Sequence, residues 1–172
     1  LQCFLHIMEL SDYFINKYPK DIDNLKQINK LRESKGNISN EFQNIIYKVN
    51  FPVKSFLQFG FGSYKPVSTQ RLVQYMDDII NTERNEPKIV VSILLQTIHS
   101  ELNYKGNEII SNEQIFDQKD EYQTLLNFLY KNNKTNFSVI SALFYGILEK
   151  RIHCFNCDNI FYDFEYFKCI DF

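Results

Sequence analysis

Two cysteines three positions apart, in the run Cys154-Phe155-Asn156-Cys157, have the spacing in this chain that most directly suggests chemistry. A pair of thiolates at that separation on a tight turn can hold one side of a tetrahedral dication, and zinc is the usual occupant of such a site. A zinc ribbon needs a second pair of ligands, yet the only later cysteine is Cys169. His153 adjoins Cys154, and direct neighbours usually point away from one ion. Three readings of Cys154 and Cys157 stand side by side: a metal half-site, a plain reduced hairpin, and a redox pair. The redox reading lacks the βαβ pattern that normally surrounds such a motif.

Elsewhere the polar residues do not assemble into a reaction centre. The three histidines, His6, His99 and His153, stand in no Ser/His/Asp or Cys/His spacing. His99 reads as a polar-edge residue of an amphipathic helix, and Cys3 as a small buried residue. Cys3 and His6 can face each other one helical turn apart, an arrangement that favours packing over catalysis. Asp77-Asp78 and Glu83-Arg84 read as solvated face and turn. No catalytic residue is assigned within the sequence.

Composition narrows the class. With 172 residues, 44% hydrophobic and 23% charged, the chain can build a packed domain and lies outside the disordered regime. Its formal charge of -2 gives no field that would gather nucleic acid or an anionic membrane, so neither is expected as a partner. The longest apolar stretches, residues 89–95 and 139–144, fall well short of the roughly 20 residues a membrane helix needs. Residues 1–8 make a poor signal peptide, and a first residue of Leu suggests that the natural N-terminus lies upstream. Four unevenly placed cysteines are too sparse to staple the domain, which favours a reducing compartment, the cytoplasm or nucleus. The acceptor patterns at Asn37, Asn133 and Asn136 are expected by chance in so Asn-rich a chain.

Periodicity supplies the elements that must position these residues. Leu1, Phe4, Leu5 and Met8 recur at helical spacing, and the pattern predicts a helix ending near Ser11-Asp12. Ile22, Leu25, Ile28 and Leu31 form a second stripe, stopped at Lys35-Gly36-Asn37. Asn40 with Gln43 has capping-box spacing ahead of Ile45, Ile46 and Val49. Residues 51–65 read as a surface loop anchored by its rings. Ser68 then caps a helix with Leu72, Val73, Met76, Ile79 and Ile80 on one face. The clearest helix starts at Glu86-Pro87, runs through Val90, Ile93, Leu94, Ile98 and Leu102, and is expected to be central. Residues 103–118 read as a connection, and Tyr122, Leu125, Leu126 and Leu129 as a helix stopped at Asn132-Asn133-Lys134. From Asn136 the pattern favours strands: Phe137, Val139, Ile140 and Phe144 first, then Asp163 and Glu165 alternating with Phe164 and Tyr166. Gly146 suits a turn or bulge between them.

Several of these segments, in their order, resemble the front half of a ubiquitin-specific protease catalytic domain. Leu1-Gln2-Cys3-Phe4-Leu5 is similar to the end of that family's cysteine box, which runs Asn-Thr-Cys-Tyr-Met-Asn-Ser, one variable residue, then Leu-Gln and a short apolar stretch. Leu94-Leu95 and His99-Ser100-Glu101-Leu102-Asn103 are similar to the later Leu-Leu and His-Glu-Glu-Leu-Asn. Phe144-Tyr145-Gly146, Ile152-His153-Cys154-Phe155-Asn156-Cys157 and Phe164-Glu165-Tyr166-Phe167 resemble the opening of its finger region. Within the helix that precedes Asn103, Glu86 stands where the family usually has Asp, Pro87 where it has Ala, and Ile89 where it has Glu.

The resemblance implies an α+β, papain-like cysteine protease fold, with residues 1–136 as a helical thumb and residues 137–172 as the first strands of the fingers. It implies that the parent protein hydrolyses the bond after the C-terminal glycine of ubiquitin, with ubiquitin and ubiquitinated proteins as partners. By its register the nucleophilic cysteine precedes Leu1 by about six positions, at a helix start where a thiol is acidified, and the general-base histidine follows residue 172. It also implies that Cys154 and Cys157 are half of a zinc site whose second pair lies past Phe172. A non-catalytic, ubiquitin- or protein-binding relative is the alternative, motivated by the changes from Glu86 to Ile89. A helical interaction domain with an unrelated zinc knuckle is a third reading.

Overall fold

The opening helical run continues past Ser11-Asp12, and so does a buried stripe at helical spacing through Leu10, Phe14, Tyr18 and Leu25. In the computed structural model, which describes residues 2–29, 34–52, 54–56, 62–64, 66–79, 86–103 and 119–168, α1 (Gln2–Leu5) is followed by α2 (Met8–Asp12), a π-helical turn over Tyr13–Lys17, and α3 (Tyr18–Asn29). The helix end expected at Ser11-Asp12 is therefore corrected. Pro19 accounts for the wide turn: it has no N–H for the carbonyl of Ile15, and its ring crowds that oxygen. Opening the helix relieves both problems, and Tyr18 N reaches back five residues to Tyr13 O.

That widening leaves the carbonyl of Phe14 available, and Gln43 Nε2 donates to it at 3.2 Å. Gln43 belongs to α4 (Asn37–Asn50), which begins after Gly36 in a left-handed conformation, φ 80°, with no side-chain cap at that position. Asn40 Oδ1 accepts from Tyr18 OH at 2.7 Å. The capping box read at Asn40 and Gln43 is thus not formed. Both side chains instead fasten α4 to the first helical run, and the phenyl ring of Phe14 lies 5.3 Å from Tyr18 and 5.2 Å from Phe42.

Residues 51–65 are more ordered than a loop where they are described, because β1 (Lys54–Phe56) pairs antiparallel with β2 (Gly62–Tyr64); residues 57–61, with Phe59 and Phe61, lie outside the described residues. In α5 (Gln70–Ile79) the expected cap is present, Gln70 N donating to Ser68 Oγ at 3.3 Å. Leu72 and Met76 are buried, but Val73 is 51% exposed and leaves the apolar face. Ile80 and Leu31 lie outside the described residues. Helix α6 (Pro87–Leu102) starts at its proline as expected. Leu94, Ile98 and Leu102 are buried while Ile89 and Val91 are exposed, so only its C-terminal half is central.

The chain forms two compact units, Leu1–Leu102 and Asn103–Phe172. In the second, α7 (Glu121–Thr135) is capped by Asp120, whose Oδ1 accepts from Gln123 N at 3.0 Å, and it ends just past the predicted stop. The connection expected over residues 103–118 lies outside the described residues after Asn103. Residues 139–144 correct a strand prediction, for Val139–Phe144 is a helix, α8. β-Branched Val139 and Ile140 favour extended backbone, but Ser138 and Ser141 form a reciprocal capping box that satisfies the free N–H groups of the first turn.

The expected strands follow. β3 (Gly146–His153) pairs antiparallel with β4 (Ile160–Phe167) from Gly146 opposite Phe167 to His153 opposite Ile160. Phe128 of α7 packs onto this hairpin, 6.2 Å from Phe164 and 4.9 Å from Tyr166 between ring centres. Gly146 is in the ladder, not in a turn or bulge. A Cβ at Gly146 would fall on the Phe167 ring, which covers it from the opposite strand.

Candidate functional site

The β3–β4 hairpin places Cys154 directly after β3 and Cys157 in the turn that follows. Two backbone bonds close the tip: Cys154 N donates to Asn159 O at 2.9 Å, and Asp158 N donates to Cys154 O at 2.8 Å. Asp158 takes φ 54°, a left-handed conformation its short polar side chain tolerates. Both cysteines are free thiols.

The Cys157 thiol donates to the Cys154 sulfur, and the backbone N–H groups of Cys157 and Asn156 add to it. Together these hydrogen bonds lower the Cys154 thiol below its ordinary range, because they stabilise the thiolate more than the thiol. Asn159 Nδ2 donates to the Cys157 sulfur at 3.2 Å. His153 is occupied otherwise, with Nε2 2.7 Å from Asp158 Oδ1 and its ring 5.3 Å from Phe155. Phe155 itself is 92% exposed at the tip.

This arrangement fits half of a tetrahedral thiolate site: two free thiols on one turn, with hydrogen-bond donors that favour the thiolate of one of them. Among the described residues no third His, Cys, Asp or Glu joins them, and Cys169 lies outside the described residues. The hairpin is braced on both faces by ion pairs, Lys150 with Glu165 on one and Arg151 with Glu149 on the other. The Arg151 guanidinium also lies 5.8 Å from the Tyr162 ring centre.

The other candidate residues are scattered. Helix α1 buries no side chain, and Cys3 is exposed where a core position was expected. His6 is exposed as well, so the reading of a buried Cys3–His6 contact is corrected. His99 is buried in α6 and not at its polar edge. At the start of that helix, Glu86 and Ile89 are both exposed, and the Glu86 carbonyl accepts from the N–H groups of Ile89 and Val90.

Sequence reading missed Glu101. It is fully buried, and its carboxylate accepts from Ile38 N at 3.3 Å and Ser39 N at 2.6 Å. The signal was available: Glu101 shares the helical register of Leu94 and Ile98, and a carboxylate on a core face must have donors. Gly36 offers no side chain to cap α4, so the cap comes from a different helix. In the second unit Asn103 Nδ2 donates to the carbonyl of Thr135 at the end of α7, at 3.1 Å. Two polar residues of the run His99-Ser100-Glu101-Leu102-Asn103 thus terminate helices.

A family model described as ubiquitin carboxyl-terminal hydrolase matches residues 1–166. Among curated proteins the chain is similar to ubiquitin carboxyl-terminal hydrolase 12 of Saccharomyces cerevisiae, 22% identical over 173 residues. That alignment covers 96% of this chain but 14% of the yeast protein.

Proposed function

This chain belongs to the ubiquitin carboxyl-terminal hydrolase family, and from that membership we propose that its parent protein is a cysteine-type deubiquitinase that hydrolyses the bond after the C-terminal glycine of ubiquitin. The family match over residues 1–166 carries this reading. In the proposed reaction a thiolate adds to the glycine carbonyl, a histidine gives its proton to the departing amine, and water then cleaves the thioester. Donors around the carbonyl oxygen hold the charge that develops there. The cysteine and histidine are placed outside residues 1–172, in a papain-like fold of which residues 1–136 form the helical thumb and residues 137–172 begin the fingers. Ubiquitin and ubiquitinated proteins are the partners, and the cytoplasm or nucleus the location.

Within that fold Cys154 and Cys157 are proposed as half of a structural zinc site, completed by a second ligand pair elsewhere in the protein. A bound zinc would cross-link the fingertip to the strands that bring the other pair. The acidified Cys154 thiol and the donors around it support this reading over a plain reduced hairpin.

A second reading keeps the fold without the chemistry. The departures at Pro87 and Ile89 lie on the exposed first turns of α6, where altered side chains change what a partner meets before they change packing. One experiment separates the two. The full-length protein is expected to be labelled by a ubiquitin C-terminal electrophile, and residues 1–172 alone are expected to remain unlabelled. A labelled 172-residue chain would overturn the placement of the nucleophile. A full-length protein that binds ubiquitin yet takes no label would establish the non-catalytic reading.

A further inference from the structure

Between α4 and the start of α5 lies a polar cavity of about 340 Å³, lined by Glu41, Asn44, Lys48, Ser68, Gln70 and Arg71. Glu41 is only 7% exposed. Among the described residues its carboxylate accepts one hydrogen bond, a long one, from Asn44 Nδ2 to Oε2 at 3.3 Å. A carboxylate has about four acceptor positions, and a buried one normally fills most of them. Lys48 and Arg71 line the same cavity from exposed positions, yet neither forms an ion pair with Glu41 or with any other described acid. One cavity therefore holds a buried negative charge and two cations at its mouth, with no pair made among them.

We propose that this cavity is a binding site for a short peptide segment carrying one basic and one acidic side chain. The basic group would enter to Glu41, and the acidic group would remain at the mouth between Lys48 and Arg71. Asn44, Ser68 and Gln70 supply neutral donors and acceptors for the connecting amide. Opposite charges on one ligand satisfy both ends of the cavity, whereas a singly charged ligand would leave one end uncompensated. The volume is at the lower end of the ligand-site range, and the polar lining selects charge over apolar shape. This site shares no residue with the Cys154 hairpin and does not depend on the deubiquitinase reading.

The test uses fluorescein-labelled peptides with blocked ends, in which Gly residues flank Lys-Glu, Lys-Lys or Glu-Glu, titrated with the protein by anisotropy. The Lys-Glu peptide is expected to bind saturably, with each same-charge peptide at least about tenfold weaker, roughly the loss of one charge-assisted bond. Glu41→Gln should weaken Lys-Glu binding about tenfold and remove the preference over Glu-Glu. Lys48→Met with Arg71→Met should instead remove the preference over Lys-Lys. Lys48 and Arg71 are exposed, so that pair keeps the test valid even where Glu41→Gln fails to fold. Equal binding of all three peptides, no binding at millimolar protein, or binding unchanged in the double variant overturns the proposal.

Discussion

The carboxylate of Glu101 in α6 accepts a 2.6 Å hydrogen bond from the backbone N–H of Ser39, 62 residues earlier, at the buried N-terminal end of α4. With Ile38 N at 3.3 Å it satisfies two of the N–H groups that a helix beginning at glycine would leave open. The bond ties α4 to α6 where neither sequence nor helix capping in cis requires it.

Removing that carboxylate should cost more than a surface cap. Glu101→Ala leaves two buried N–H groups without partners and is expected to lower unfolding free energy by about 3 kcal/mol. Ser39→Ala is the internal control. Ser39 Oγ is buried with no hydrogen-bond partner among the described residues, so its loss should be neutral or stabilising by up to about 1 kcal/mol. Urea unfolding of both variants checks this, and a Ser39→Ala penalty as large as that of Glu101→Ala would contradict the capping role.

Tyr18 links the same network to alkaline pH. Burial first, then the charge of Glu101 and the neighbouring Tyr13, push its phenol above the ordinary value of 10.0. Below pH 10 the phenol holds its proton in both folded and unfolded chains, and its contribution is constant. Above pH 10 the unfolded chain ionises first, so stability falls by about 1.4 kcal/mol per pH unit for this group until the folded value is reached. Tyr18→Phe should therefore cost about 1 kcal/mol at pH 8, through the lost bond to Asn40. The gap should close or reverse near pH 11. A constant difference across that range would place the alkaline sensitivity elsewhere.

Much of this was legible from local signals. Pro87 announced the start of α6, Ser68 the cap of α5, and the alternation from Asp163 to Tyr166 the strand β4. The losses came where tertiary partners overrule local preference. Asn40 and Gln43 have capping-box spacing, but Tyr18 and the freed carbonyl of Phe14 recruit their side chains first. Val139 and Ile140 read as strand because propensity is a weak prior against a reciprocal serine cap. At the hairpin tip, spacing alone singles out Cys154 and Cys157 as candidates, whereas the placement of Asp158 and Asn159 beside them depends on a left-handed turn that no periodicity marks. Glu41 gave no sequence signal, since its isolation depends on where Lys48 and Arg71 reach.

Gly146 and Phe167 offer a test of close packing within the hairpin. A methyl group at Gly146 would meet the ring of Phe167, so Gly146→Ala is expected to destabilise by about 1–3 kcal/mol as the ring is displaced. Phe167→Ala removes the obstacle. The double variant should then lose about 1 kcal/mol less than the two single losses added, because the residues are in direct contact. Strict additivity in urea unfolding would mean that the ring does not cover the glycine in solution.

The hairpin tip gives the sharpest chemical prediction. If Cys154 and Cys157 are half of a zinc site, the full-length protein should purify with about one zinc per chain, and Cys154→Ser or Cys157→Ser should each remove it, since two thiolates cannot be replaced by one. Metal uptake releases thiol protons, so zinc is held at high pH and lost as pH falls. Because hydrogen bonds lower the Cys154 thiol, that loss should begin at more acid pH than for an unassisted thiol pair. Asn159→Ala removes the donor to Cys157 and leaves both sulfurs in place, so it should move the release to higher pH without abolishing binding. Cobalt substitution, read by its thiolate charge-transfer absorption, follows the same titration. Full zinc content in both serine variants would remove these two cysteines from the site and leave the hairpin as a reduced structural turn.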